Sequence, residues 1–568
     1  MTQTDNSADE VRRASLAARL AWVALVLATV YICYFHNLGA IGLVGPDEPR
    51  YAWIARAMVE TGDWVTPRLY GKPWFEKPVL YYWGAAASFK IFGVSEAAAR
   101  LPSAVSALLA TLALAWLAWG LYGAATAQWL LLLLPTTVGM IGFSHAAASD
   151  MPFAAMLTIA MVFATRLVGL EGKEVNEVDE VNGIPPLRSF ASLSFTSSTS
   201  FTSFFFGFFL GLAVLAKGPA AIILAGGAVL LWATFTKRWR DAFRCLHPIA
   251  IVGFCLTALP WYILCARRNP DFFRIFIIEH NFKRYLTPEF QHIQPFWFYI
   301  PILLLAVFPW TVLLIPLGKQ VLEEYKTQSP ELARVLFFLS WPTFALLFFT
   351  VSKSKLPGYI LPAVPPLLVL VAKPAVKSAR KRSEHWLTVV LGMCFLALGL
   401  GFCLALIRHR LPRYTDAYPS NEEFLISWIA VIAGLAVAGA VLIRNRDIPF
   451  LAAGISVLLL VLVADQWLHK LDPQLTAGPS LFEASRRSPG FNLSSAASWQ
   501  LRRSLFYQLN FYAHADLPEW KPGGPKPAWL FVEPRFEGQA RALGFSCPDY
   551  LIYPAVIACK NSTSVAHP

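Results

Sequence analysis

The sequence predicts an all-α protein that crosses a membrane about thirteen times and carries a small α/β segment after the last crossing. Three observations predict it. Of the 568 residues, 56% are apolar and only 15% are charged, against roughly 25% charged in a soluble domain; mean hydropathy is +0.51. Apolar runs of about 20 residues, enough to cross a bilayer core of ~30 Å, recur along the chain. The basic residues fall in short clusters between those runs, as the topology rule for loops expects. This composition excludes a string of soluble domains. It also excludes disorder, which needs few apolar residues, and the 8 Cys make no disulfide scaffold. The net charge of +13 points to membrane topology or an anionic lipid rather than to nucleic acid.

The first run, Ala17–Phe35, reads as an uncleaved signal anchor, since no small-residue cleavage site follows it. Further runs cover Leu101–Leu121, Ala125–Phe143, Met151–Leu170 and Phe201–Ala216, and a Lys217-Gly218-Pro219 break separates the last of these from Ala220–Phe235. Pro248–Ala266, Pro295–Leu317, Val335–Val351, Tyr359–Val371, Trp386–Ile407, Phe424–Ile443 and Ile448–Ala464 complete the series. With Arg12 and Arg13 inside, the inner loops carry Lys237, Arg238, Arg240, Arg244, Lys319, Lys326, Lys377, Arg380, Lys381, Arg382, Arg444 and Arg446. The N-terminus is then cytoplasmic and the C-terminus extracytoplasmic. Outer loops nonetheless hold Arg267, Arg268, Arg274, Lys283, Arg284, Lys353 and Lys355. Cations on the side that the rule disfavours need another reason, and binding an anion supplies one.

The expected organisation is a transmembrane unit, residues 1–464, and an extracytoplasmic C-terminal domain, residues 465–568. Within the first, 37–93 is an outer loop rich in Trp, Tyr and Pro with short interfacial helices, and 171–203 is a flexible inner loop, acidic and then Ser/Thr/Phe-rich. The second contains β-like runs, Trp529–Glu533 and Tyr550–Val556, and two cysteines able to pair, Cys547 and Cys559.

Five segments carry chemistry, and this topology puts all of them on the outer side. Gly45-Pro46-Asp47-Glu48-Pro49-Arg50-Tyr51-Ala52 sets two adjacent carboxylates in a proline-bounded turn beside an apolar span. Desolvation there favours a general base or a metal ligand; the same turn also reads as an ordinary helix start with acids in its first turn. Trp74-Phe75-Glu76-Lys77-Pro78 leads into Tyr81-Tyr82-Trp83. This is either a solvated ion pair with an interfacial belt, or a lysine for a lipid phosphate with rings for a sugar. Asp150, in Ser149-Asp150-Met151-Pro152, lies at the rim of a span, where an acid is a helix cap or functional. Asp271–Leu286 reads as a short helix with His280 and Arg284 on one face and a Glu279–Lys283 ion pair on another. Ser352-Lys353-Ser354-Lys355-Leu356-Pro357-Gly358-Tyr359 makes a compact anion site or a basic turn touching headgroups.

These motifs, with Gly211-Leu212-Ala213 before Lys217-Gly218-Pro219, stand in the order seen in the membrane glycosyltransferases of the GT-C class. The chain resembles the bacterial 4-amino-4-deoxy-L-arabinose lipid A transferases and, more distantly, the protein O-mannosyltransferases, over about residues 15–465. Each motif alone is weak; five in order are specific. The resemblance implies the GT-C fold and an inverting transferase. Its donor is a polyprenyl-phosphate-linked sugar and its acceptor a lipid such as lipid A, at the outer face of the plasma membrane. It matches Asp47 and Asp150, with Glu48 beside them, to the catalytic carboxylates. Lys77, Arg284 and Tyr359 fall at the donor phosphate, with Lys353 and Lys355 as further cations. Tyr51, Tyr81, Tyr82 and Trp83 line the substrate, and Glu76 and His280 fall near a divalent-metal position. Two departures are the 171–203 insertion and Glu-Lys-Pro-Val in place of Glu-Lys-Pro-Pro; neither removes a charge from the cleft.

The chemistry agrees, because sugar transfer from a phosphate carrier leaves a dianion that waiting cations stabilise. Two other readings stand beside it: a protein O-mannosyltransferase-like enzyme, and a transporter or flippase of lipid-linked sugars. A transporter predicts internal repeats and paired broken helices; the sequence holds a single Lys-Gly-Pro break and no second copy.

Overall fold

The computed structural model describes residues 3–170, 199–287, 293–378, 389–390, 392–393, 448–487, 491–548 and 554–562. The expected spans Trp386–Ile407 and Phe424–Ile443 and most of the 171–203 loop lie outside these residues. Helix α1 (Gln3–Val30) runs into a π-helical turn, Tyr31–Phe35. The 37–93 loop then folds as α2 (Asp47–Thr61), a two-residue hairpin β1 (Arg68–Leu69) and β2 (Lys72–Pro73), and α3 (Leu80–Phe92). Tyr70 and Gly71 both have positive φ at the hairpin turn, the backbone that a tight two-residue connection requires.

The bundle continues through α4 (Glu96–Tyr122), α5 (Ala124–Leu133), α6 (Val138–Ser144), α7 (Asp150–Leu167), α8 (Thr199–Lys217), α9 (Ala220–Thr236) and the short α10 (Trp239–Ala242). It goes on with α11 (Pro248–Arg268), α12 (Arg284–Leu286), α13 (Tyr299–Val307), α14 (Leu314–Thr327), α15 (Leu332–Val351), α16 (Val364–Ser378) and α17 (Ile448–Leu475). Among the described residues five helices are long and apolar enough to cross a membrane, α4, α7, α8, α11 and α15, or up to seven if two bent pairs each count as one crossing. Four shorter apolar helices, Arg19–Phe35, Ala220–Thr236, Pro357–Lys373 and Leu451–Leu462, fall on four other expected spans. The bends have a local cause. Ala124–Leu133 turns by 60° into Val138–Ser144, and Tyr299–Val307 by 103° into Trp310–Thr327. Pro135 and Pro309 stand at the two breaks, where a missing N–H and a bulky ring end the helical ladder. The buried helix α7 is apolar all round: Met151 to Val162 is an unbroken buried run, as expected of a helix surrounded by others.

One expected helix takes another form. Residues 274–283 are π-helical before α12. Its wider turn sets Arg274 beside Glu279, at 2.5 Å, so Glu279 pairs backward rather than with Lys283. Other cations expected on the outer side are also neutralised locally, Arg268 by Asp63 at 3.1 Å and Arg274 by Asp271 at 3.2 Å.

After α17 the chain forms α18 (Gly478–Arg487), β3 (Ala496–Trp499), α19 (Arg503–Ala513), β4 (Trp529–Val532), α20 (Glu537–Ala542), β5 (Phe545–Ser546) and β6 (Ile557–Asn561). The sheet order is β3-β4-β6-β5, with β3 parallel to β4 and the other pairs antiparallel. Alternation along β4 sends Trp529 and Phe531 toward Leu505 and Leu509 of α19, and Leu530 and Val532 toward Trp520 and Ala540; a strand covered on both faces is apolar at every position. Cys547 and Cys559 form a disulfide. The last strand starts at Ile557, beyond the expected Tyr550–Val556 run, most of which lies outside the described residues.

Candidate active site

One end of the bundle gathers the singled-out charges. The Pro46–Pro49 turn starts α2, with Asp47 and Glu48 in its first turn. They point to different places. Glu48 is 6% exposed and accepts from Val44 N at 2.7 Å, Ala147 N at 2.6 Å and the Arg100 guanidinium at 2.8 and 3.2 Å. Arg100 also donates to the carbonyls of Leu38, Ile41 and Gly42. A carboxylate so engaged has no lone pair left for a substrate, so Glu48, expected among the catalytic acids, is instead a buried brace tying the loop to α4 and to the entrance of α7. Asp47 is half-exposed and is held by Arg50.

Arg50 joins two motifs. It donates to Pro46 O at 2.9 Å and to Glu76 Oε2 at 2.7 Å, besides Asp47. Glu76 also faces Arg284 at 3.3 Å and Lys77 at 3.8 Å. Burial alone would raise the Glu76 pKa, but Lys77, Arg50, Arg284 and His280 together hold it far below the usual carboxylate range. Lys77 goes the other way: burial and the neighbouring Arg284 lower its ammonium to about 8. His280 is lowered by burial too, with Lys77 and Arg284 adding to the effect and Glu76 opposing it.

A second ion pair completes the cluster. Lys217 Nζ lies 2.5 Å from Asp150 Oδ1 and 4.6 Å from the centre of the Tyr359 ring. Asp150 therefore caps no helix; Ser149 holds the cap position, with no side-chain cap bond. Two glycines make this approach feasible. Gly218 has φ +96°, which breaks α8 and leaves Lys217 at its end. A Cβ on Gly358 would meet Asp150 Oδ1 at 2.5 Å, so only glycine lets this carboxylate lie against the Tyr359 turn. Lys77 and Arg284 act electrostatically on Asp150 as well as on Glu76, and Arg284 acts on Tyr359 too. The two ion-paired groups thus form one cleft.

Several expected members are not in it. Lys355 gives its ammonium to Ser352 O at 2.8 Å and Gln294 O at 3.3 Å, and Lys353 is exposed. The Ser352–Lys355 turn spends the Lys355 charge on backbone carbonyls, its own and that of Gln294. Tyr81 donates to Ala99 O at 2.8 Å and Trp83 to Trp64 O at 2.8 Å, so both hold the scaffold. Tyr51 and Tyr82 stay near the cleft, their ring centres 5.7 Å apart, and the Tyr82 hydroxyl is buried with no partner among the described residues. As for a metal, Glu76 is already matched by three cations, and among the described residues no group of three or more His, Cys, Asp or Glu gathers. Glu76 and His280 therefore do not fit a divalent-cation site. Arg50 and Lys217, to which sequence reasoning gave no role, join the cluster through Glu76 and Asp150. The signal for Lys217 was present: a charge at the broken end of an apolar span.

A helical membrane bundle with paired carboxylates and clustered cations at one rim is the build of a GT-C glycosyltransferase. Residues 20–276 match the family described as Dolichyl-phosphate-mannose-protein mannosyltransferase. The chain is 31% identical over 528 residues to the undecaprenyl phosphate-alpha-4-amino-4-deoxy-L-arabinose arabinosyl transferase of Yersinia pestis (strain Pestoides F), covering 88% of this chain and 90% of that one. It is 28% identical over 536 residues to the protein of the same name from Pseudomonas aeruginosa (strain UCBPP-PA14), covering 89% and 91%. ArnT of Cupriavidus metallidurans, in its crystal structure bound to undecaprenyl phosphate, shares the fold: the TM-score is 0.74 at 21% identity, covering 96% of this chain and 99% of that one. The chain belongs to the family of undecaprenyl phosphate-alpha-4-amino-4-deoxy-L-arabinose arabinosyl transferases.

Proposed function

We propose that this glycosyltransferase moves an aminopentose of the 4-amino-4-deoxy-L-arabinose kind from undecaprenyl phosphate to lipid A at the outer face of the inner membrane. One observation carries the reading: Lys77, Arg284 and Lys217 are held against Glu76 and Asp150 in a single cleft, beside the half-exposed Asp47. Cations poised around one point suit the dianionic phosphate that leaves when the sugar–phosphate bond breaks. Lys77 and Arg284 hold that phosphate, Tyr359 donates to it, and Lys217 is oriented by Asp150. Tyr51 and Tyr82 line the sugar, with the Tyr82 hydroxyl free for a sugar oxygen.

A lipid A phosphate is already ionised, so Asp47 has no proton to remove. It orients the acceptor and steadies the cationic character that develops on the sugar. Attack from the face opposite the leaving phosphate inverts the anomeric centre. We also propose thirteen crossings, a cytoplasmic N-terminus, and residues 465–568 as an extracytoplasmic domain covering the cleft. Purified protein in vesicles, given undecaprenyl-phosphate aminoarabinose and lipid A, is expected to add one aminopentose by mass. Addition to protein substrates with none to lipid A would favour the mannosyltransferase reading suggested by the match over residues 20–276.

The state of Lys77 gives a pH test. With its pKa lowered to about 8, the ammonium is present below that pH and lost above it, so a phosphate contact made by it weakens as pH rises. kcat/KM for the donor is expected to be flat from pH 6 to 7 and then to fall about ten-fold per unit above ~8. In Lys77→Arg, whose side chain stays charged throughout, that fall disappears. An unchanged profile in Lys77→Arg would remove Lys77 from the phosphate.

A further inference from the structure

Arg50 stands in an enclosure of rings. Its guanidinium carbon is 5.8 Å from the centre of Tyr51, 5.7 Å from Trp74 and 5.3 Å from Tyr507. The first two belong to the outer loop that carries Arg50 itself. The third comes from α19, more than 450 residues later in the chain. That helix and its C-terminal cap are pinned to the loop and to α4. The Tyr512 hydroxyl donates to Glu96 Oε1 at 2.8 Å and accepts from Leu43 N at 2.9 Å, and His514 pairs with Glu60 at 3.0 Å. Tyr507 also stacks on Tyr70 at 6.4 Å and takes a hydrogen bond from Arg503 at 3.3 Å.

We propose that Tyr507 is a positioning residue for sugar transfer: its ring closes the aromatic enclosure of Arg50 and so fixes how that guanidinium is shared between Asp47 and Glu76. Cation–π attraction is strongest where water is excluded, and Arg50 is 3% exposed. Three of its N–H groups are committed, to Pro46 O, Glu76 and Asp47. Tilting the guanidinium plane breaks one of these bonds before the others, and the bond at the open edge is the one to Asp47, the more exposed carboxylate. Removing the Tyr507 ring frees that tilt. Asp47 then loses its orientation while the phosphate cations, held by Glu76 and Asp150, keep theirs. The C-terminal segment on this account supplies a wall of the active site rather than an appendage to it.

This inference rests on the transferase reading, and the experiment separates the two. Full-length wild type, Tyr507→Leu and Tyr507→Phe are compared in vesicles with undecaprenyl-phosphate aminoarabinose and lipid A, and their melting temperatures are measured in detergent. Tyr507→Leu is expected to lower kcat about ten-fold, with donor KM and melting temperature near wild type. Tyr507→Phe, which keeps the π face and loses only the hydroxyl, restores most of the rate. If Tyr507→Leu does not fold, Tyr507→Met fills a similar volume without a π face and takes its place. Wild-type kcat in the ring-less variant overturns the inference, as does an equal loss in Tyr507→Phe, which would assign the effect to the hydroxyl. A loss of donor KM in step with kcat also overturns it. A wild-type protein that transfers no sugar to any acceptor overturns both readings; an active wild type beside an equally active Tyr507→Leu overturns this one alone.

Discussion

Asp47→Asn is expected to lower kcat by roughly 10³-fold, the scale on which a reacting-centre carboxylate contributes, and to leave the protein folded. The two side chains are nearly the same shape, so the change removes charge and little else. Folding is spared because Asp47 is half-exposed and Arg50 keeps its bonds to Glu76 and Pro46 O. Donor KM should stay close to wild type, since the phosphate cations Lys77 and Arg284 are held by their ion pairs with Glu76. Single-turnover transfer of labelled sugar measures the effect. Near-normal turnover would take Asp47 out of the reaction.

Glu48→Ala, one residue along, is expected to do the opposite: a large loss of stability, with activity lost only because the loop comes apart. The substitution strands the Arg100 charge in the protein and orphans the N–H groups of Val44 and Ala147. Breaking a buried pair from one side costs about 3–5 kcal/mol, and two unmet donors add to that. Thermal unfolding followed by tryptophan fluorescence should show the largest shift of any single change in the outer loop. Glu48→Ala melting with the wild type while failing to turn over would return Glu48 to the catalytic set. The contrast between neighbours is the point of the pair: adjacent carboxylates on one helical turn face in different directions, so one meets the cleft and the other meets Arg100.

That contrast marks how far the sequence could be read. The Pro-Asp-Glu-Pro turn, Glu76-Lys77 and the Ser149-Asp150 rim were legible because acids and cations beside apolar spans are rare and need partners. Which partner each one takes was not legible. Lys355 and Lys353 lie in a motif as basic as any, yet the chain turns Lys355 onto its own carbonyls. Tyr81 and Trp83 flank Tyr82 in one aromatic run, and helical rotation sends them to the carbonyls of Ala99 and Trp64. The Glu279–Lys283 pairing assumed an α-helical turn, and a π-helical one replaced it.

By itself the sequence determined that the chain builds an apolar helical bundle with charge concentrated at its rims, because hydrophobic run length and loop charge are local properties that a bilayer reads directly. Tertiary structure alone decided that Glu76 meets Arg284 across 208 residues, that Asp150 meets Lys217 across 67, and that a C-terminal tyrosine closes over Arg50. A side chain's partner depends on the azimuth and depth of its helix against every neighbour. Those are fixed only when the whole bundle packs.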